Sequence, residues 1–160
     1  MIKYMRVYNT ILEKLKQKIY FILRHHIERM VNDIRLNSFL RFGPEDRLTI
    51  HPTAIVQNAL FNTISGKITI CEYAFFGHNV SLLTGSHNLS KKGEERQCPA
   101  LEINDICVMR GAWIASNAVV IGPCVIGENA VIAAGSIVIH DVPPGAMVAG
   151  NPATIKKMIG

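Results

Sequence analysis

From Val108 onward a branched aliphatic residue returns at every sixth position, and this period constrains the fold more than any other feature of the 160-residue chain. Val108, Ile114, Val120, Ile126, Ile132 and Val138 hold the large position. Ala112, Ala118, Cys124, Ala130, Ser136 and Val142 follow four places behind. An amphipathic helix would place apolar residues at i, i+3, i+4 and i+7, and a half-buried strand would alternate strictly, so neither template fits Ile114 to Val142. An earlier run starts at Ile50 and Val56 and slips by two residues at Asn62 and Thr63. It resumes at Ile64, Ile70, Phe76 and Leu82, with Ile68, Ala74, Val80 and Ser86 behind.

A short fixed period is the signature of a solenoid, in which no repeat buries its apolar face alone and each coil becomes core for the next. A period of six predicts an all-β solenoid, a left-handed parallel β-helix of about four coils built from twelve hexads. Each hexad forms one side of a triangle. The large side chain points inward, and the i+4 residue sits near the corner, where crowding at the axis favours a small or branched group. The chain is of single-domain size and 49% hydrophobic, enough for a real core. Cys71, Cys98, Cys107 and Cys124 form no CxxC pair, and Cys124 takes an inward small position, so reduced thiols in a cytoplasmic setting are expected. No signal peptide is read at the N-terminus. The apolar run Ile19 to Leu23 falls far short of the ~20 residues that span a bilayer.

Composition changes near Gly43 and Pro44, which divides the chain into a helical arm, 1–42, and a β-helix domain, 43–160. In the arm, Ile2, Met5, Tyr8, Ile11, Leu12, Leu15, Ile19, Ile22, Leu23, Ile27, Met30, Val31 and Ile34 recur mostly three or four residues apart, with no proline or glycine. That pattern predicts amphipathic helix, in one piece or two. The arm holds nine of the 17 Lys and Arg but three of the 12 Asp and Glu, so all of the basic excess lies there. Lys14, Lys16, Lys18 and Arg24 read first as the solvated face of a helix capping the solenoid, and second as a contact with an anionic membrane surface. Nucleic acid is a weaker third option, because basic and aromatic residues do not alternate as in a single-strand stacking platform.

Between the two runs, residues 83–107 lose the period and gain charge, which predicts a long excursion loop leaving the solenoid. The loop opens with Thr84-Gly85-Ser86-His87-Asn88 directly after a well-formed hexad, so a histidine is presented from a rigid root. Phe75-Phe76-Gly77-His78-Asn79-Val80-Ser81, Thr84-Gly85-Ser86-His87, Trp113-Ile114, Asp141-Val142-Pro143-Pro144-Gly145 and Val148-Ala149-Gly150-Asn151-Pro152-Ala153 together resemble the hexapeptide-repeat acyltransferase superfamily. The likeness runs over roughly residues 46–157. Within that superfamily the chain looks most like the maltose, galactoside and virginiamycin O-acetyltransferase branch and the sugar acetyltransferases of polysaccharide synthesis.

The resemblance implies a homotrimer with active sites between subunits, acetyl-CoA as donor, no metal, and an O-acetyltransferase acting on a hydroxyl of a sugar or glycan precursor. It implies His87 as general base, and the residue type suits the task, since an imidazole accepts and returns a proton near neutral pH. Of the other histidines, His25, His26 and His51 read as surface or capping residues. His78, in an intact hexad, reads as packing or an interchain hydrogen bond, with substrate contact as the functional alternative. By matching hexads, Ser116 and Ala134 stack on consecutive coils, where the resembling enzymes offer backbone to the pantetheine arm; corner tolerance explains their small size equally well. Ile139 and His140 lie near the expected path of CoA. Lys156 and Lys157 follow the Asn151-Pro152-Ala153 turn and stand either toward the CoA phosphates or as a solvated end.

For the acceptor, the resemblance points to Asn62, whose register is ambiguous with Asn58, and to Trp113 as a cleft wall or a packed interface residue. Met109-Arg110 depart from the usual small-acidic pair, so acceptor choice does not transfer. Two other classes stay open. A zinc carbonic anhydrase of the same solenoid needs three histidine ligands, two from one short stretch, and no histidine lies near His87 on its C-terminal side. A noncatalytic trimeric scaffold sits poorly with the intact His87 motif.

Overall fold

The computed structural model describes residues 2–100 and 103–159, with side chains from residue 12 onward; the stripe positions Ile2, Met5, Tyr8 and Ile11 therefore lie outside the described side chains, as do Leu101 and Glu102 of the loop. It divides into two units, 1–37 and 38–160. The first is one helix, α1 (Ile2–Asn37), not two. Without proline or glycine nothing breaks it, and exposed pairs such as Glu13 with Lys16 and Arg24 with Glu28, both at 2.8 Å, brace successive turns. No described helix is long and apolar enough to cross a membrane.

The second unit is built from short strands: β1 (Leu40–Phe42), β2 (Leu48–Ile50), β3 (Leu60–Asn62), β4 (Ile68–Ile70), β5 (Phe75–Phe76), β6 (Ser81–Leu83), β7 (Ile106–Val108), β8 (Trp113–Ile114), β9 (Val119–Ile121), β10 (Cys124–Ile126), β11 (Val131–Ile132), β12 (Ile137–Val138), β13 (Ala146–Gly150) and β14 (Ala153–Met158). They form three sheets, ordered β1-β3-β6-β9-β12, β2-β4-β7-β10 and β5-β8-β11-β13-β14. Every pairing is parallel except β13 with β14. From β3 to β12 successive strands go to successive sheets, and the parallel ladders fit a left-handed β-helix. In the later run partners lie eighteen residues apart, as in Ile114 with Ile132 and Val120 with Val138. Ile70 pairs with Val108, which is one such coil plus a twenty-residue insertion.

From Val108 to Val142 both positions of each hexad face the core. Ile114, Val120, Ile126 and Ile132 are fully buried, and so are Ala112, Ala118 and Ala130. At two of the three corners of a coil the chain turns on a residue of positive φ set directly before the inward residue, as at Tyr73, Asn79, Gly111, Asn117, Asn129 and Gly135. Asparagine and glycine are the residues that enter the left-handed region most cheaply. One corner carries an amide ladder, in which Asn58 Nδ2 donates to Asn79 Oδ1 at 2.9 Å and Asn79 Nδ2 donates to Asn117 Oδ1 at 3.3 Å.

Three boundaries differ from the sequence reading. Residues 40–42, expected in the arm, form β1 and pair with β3, so the helical unit ends at Asn37. The excursion is shorter than 83–107, because Leu83 closes β6, Ile106 and Cys107 belong to β7, and Thr84 and Asn104 are buried at its root. The slip in the first coils is also distributed differently. Phe61, not Ile64, takes the inward place and pairs with Leu82; Thr63 and Ser65 are buried while Ile64 is only half-buried. Ser86, expected inward, is likewise half-buried, and Thr84 fills that role instead.

Candidate functional site

His87 stands on a root held by buried polar groups. Where the hexads put aliphatic side chains, the end of the coil under the loop puts Thr63, Ser65, Thr84 and Asn104, all buried. Thr84 donates its N–H (3.0 Å) and its hydroxyl (2.8 Å) to Asn62 O, and the same hydroxyl accepts the Ser65 N–H at 3.3 Å. Asn104 donates from Nδ2 to Thr84 O at 3.1 Å, and its N–H to Ser65 O at 3.2 Å. No buried side-chain polar atom is left without a partner among the described residues. The two ends of the excursion are thus tied to the coil by satisfied hydrogen bonds, which in a dry site fix geometry firmly.

The outgoing and returning strands of the loop then meet. Ala100 N–H donates to Ser86 O at 2.8 Å, and His87 forms an antiparallel bridge with Pro99. His87 Nδ1 lies 3.3 Å from Cys98 O. A carbonyl only accepts, so this bond requires the proton on Nδ1 and leaves the Nε2 lone pair unprotonated in the neutral ring. The side chain is exposed. An exposed imidazole oriented through Nδ1 suits general-base chemistry. Sequence reasoning singled out His87 but not Cys98, Ser65 and Asn104, which hold its loop. A backbone carbonyl leaves no mark on residue type, whereas polar residues in an inward phase were a legible signal.

Asn62 belongs with His87. It ends β3 opposite Leu83, and a Cβ built on Gly85 would stand 2.6 Å from its Nδ2, so the amide lies against the chain two residues before His87. Its Oδ1 also accepts the Ile64 N–H at 3.0 Å. Asn58, the alternative in that register, sits in the amide ladder at another corner. Ile139 and His140 follow β12 at the corner where the loop emerges two coils earlier. An open cleft of about 500 Å³ there is lined by Asp105, Pro123, Cys124, Val125, His140 and Asp141. Cys124 Sγ donates to His140 O at 3.1 Å, and burial, then the charge of Asp141, pushes the Cys124 thiol up to about 12. Asp141 itself accepts the Val125 N–H at 2.7 Å.

His78, Ser116 and Ala134 form a second group, stacked at the corner that leads into the other edge of the first sheet. The His78 N–H donates to Ser116 Oγ at 3.1 Å, Asn117 N–H to His78 O at 2.9 Å, and Gly135 N–H to Ser116 O at 3.0 Å. A Cβ on Gly77 would collide with Ser116, so close coil contact fixes that glycine. Beside Gly135, by contrast, there is open space, and Ala134 is exposed. The remaining candidates lie on the third sheet. Trp113 points outward and stacks on Phe75 with ring centroids 5.7 Å apart. Lys156 and Lys157 are exposed on β14, with Lys156 Nζ donating to Thr154 Oγ1 at 2.9 Å. One chain therefore gathers Asn62, His87 and His140 at one edge of the first sheet and His78, Ser116 and Ala134 at the other; Trp113 and the two lysines join neither group. Among the described residues no three His, Cys, Asp or Glu side chains group as a metal ion would require.

Residues 108–140 match the bacterial transferase hexapeptide (six repeats) family model. A galactoside O-acetyltransferase from Escherichia coli is 36% identical over 96 residues, covering 58% of this chain and 44% of that protein. Serine acetyltransferase 4 of Arabidopsis thaliana is 36% identical over 113 residues, covering 71% of this chain and 29% of that one. The chain thus spans less than half the length of either relative. A hexapeptide-repeat acetyltransferase from Vibrio cholerae, solved in complex with acetyl coenzyme A, superposes with a TM-score of 0.53 at 24% identity, over 84% of this chain and 78% of that one. At that identity the likeness speaks to the fold.

Proposed function

Residues 108–140 match the bacterial hexapeptide transferase family model, and from that premise we propose that the chain is an acetyl-CoA-dependent O-acetyltransferase acting on a hydroxyl of a sugar or glycan precursor. The observation that carries the reading is the clamped imidazole of His87, with Nδ1 given to Cys98 O, on a chain whose Gly85 lies against Asn62. His87 Nε2 removes the proton of the acceptor hydroxyl as that oxygen attacks the thioester carbonyl. The carbon–sulfur bond breaks, and the imidazolium returns the proton to the departing thiolate. Asn62 lines the acceptor side.

The donor fits the second group. Acetyl-CoA supplies an acyl group activated as a thioester, and its extended arm needs backbone it can approach closely. Exposed Ala134, half-buried Ser116 and the open space beside Gly135 offer such a surface. His78 closes the column, and Ile139, His140, Lys156 and Lys157 are assigned to the donor's outer reaches. Because the base and the donor column lie at opposite edges of one sheet, the reading calls for two chains to meet at each site. A homotrimer meets that demand. The outward side chains of the first sheet favour it, since Leu40, Phe42, Ile121 and Ile139 are apolar and exposed. In this assembly Trp113 walls the cleft.

Serine acetyltransferases among the relatives supply a second acceptor, the hydroxyl of serine. The deciding measurement is thiol release from acetyl-CoA with sugars, nucleotide sugars and serine, comparing the native chain with His87→Ala. Loss of general-base help should lower turnover by roughly 10²–10⁴. Unchanged turnover removes His87 from the mechanism, and turnover with serine alone reassigns the acceptor.

A further inference from the structure

On the outer face of the second sheet, outside every cluster described so far, three sulfur side chains converge. Within β7 the burial alternates, Ile106 and Val108 inward and Cys107 outward, and Met109 continues the outward phase. Cys107 Sγ lies 3.5 Å from Met109 Sδ. Cys71 follows β4, and its N–H donates to Val108 O at 2.9 Å, which sets it beside Met109 on the same face. Burial and the neighbouring Cys71 hold Cys107 above the ordinary thiol range. All four cysteines of the chain are free.

We propose that Cys71, Cys107 and Met109 form a binding site for a soft monovalent cation of the copper(I) type, held by two thiolates and a thioether. The strand register argues for a metal over a disulfide. Cys107 pairs with Thr69, so Cys71 is its diagonal neighbour. Diagonal neighbours stand about 7–8 Å apart at Cα, beyond the usual disulfide range of about 4.4–6.8 Å. A metal between two sulfurs tolerates the wider gap. Thiolate with thioether is the ligand set that selects copper(I) over harder ions. His51 lies one coil away, but its Nδ1 already accepts the Thr53 N–H at 3.3 Å, and it takes no part. On binding, both thiols lose their protons to solvent as two copper–sulfur bonds form and the thioether donates a lone pair. Copper stays monovalent, so no oxidant or reductant enters.

The test is a titration of the full chain with copper(I) under ascorbate and without oxygen, in competition with a chromogenic copper(I) chelator. One tight equivalent per chain is expected, with affinity rising with pH because two protons leave. Cys107→Ser should abolish that equivalent, and Met109→Leu, a volume-conserving change, should weaken it by about tenfold or more. Cys98→Ser should leave it intact. X-ray absorption on the native chain should find sulfur neighbours alone, a readout independent of whether a variant folds. The proposal is overturned by absence of a tight equivalent, by its survival in a Cys71→Ser, Cys107→Ser double variant, by its loss with Cys98→Ser, or by nitrogen and oxygen around the metal.

Discussion

At the scale of single residues, the chain repeatedly uses one polar atom to set the state of another. The Cys98 carbonyl chooses the tautomer of His87, and the Thr84 hydroxyl links Asn62 to Ser65. Cys124 is the same device in the core, where a neutral thiol donates to His140 O and its ionisation is suppressed. This predicts an alkaline weakness. Burial, with Asp141 adding to it, raises the folded thiol from the ordinary value of 9.0 to about 12. Between those values the unfolded chain has lost a proton that the folded chain keeps, so this contribution to stability is complete below pH 9 and is lost as pH rises toward 12. Cys124→Ala should flatten that part of the profile, measured by thermal unfolding against pH. An equally steep loss in the variant would show that the thiol does not contribute. Residue type alone made His87 visible, but the clamp was not, because its acceptor belongs to the backbone.

Among elements, legibility followed uniformity. The hexads from Val108 to Val142 are apolar at each inward place but Ser136, and their corners take Asn or Gly where φ turns positive, so pattern and structure coincide. The first coils break both rules. Phe61 arrives five residues after Val56, nine residues then separate it from Ile70, and polar Thr63 and Ser65 fill the interior between them. A reading that ranks residues by hydropathy prefers Ile64 and loses the phase by three. The sulfur trio was equally hidden, since Cys71 and Cys107 meet only once the twenty-residue insertion is subtracted. For α1 the pattern does predict behaviour. The basic residues Lys14, Lys16 and Lys18 lie on a 36-residue amphipathic helix, and such helices bind anionic bilayers through charge and apolar burial together. The full chain should sediment with anionic liposomes more than with neutral ones, and Lys14→Glu, Lys16→Glu, Lys18→Glu combined should cancel the difference. Equal sedimentation of the two chains would leave the arm without a lipid role.

For the whole molecule, the proposed base and donor residues stand at two edges of one sheet, and the proposed chemistry therefore requires assembly. A chain of 17.7 kDa should therefore sediment at three times that mass at concentrations where it is active. Dilution to the monomer should abolish thiol release, and full activity in the monomer would reject a shared site. One further consequence follows from the excursion beneath His87. Its ends are tied down by Thr84 and Asn104, and the coil closes beneath it with Lys67 N–H donating to Asp105 Oδ1 at 2.7 Å, as Val125 N–H does to Asp141 one turn of the same corner later. The prism is sealed whether the intervening segment is long or short. Evolution can thus splice new sequence into that gap as into a cassette, leaving the supporting scaffold unaware of the exchange.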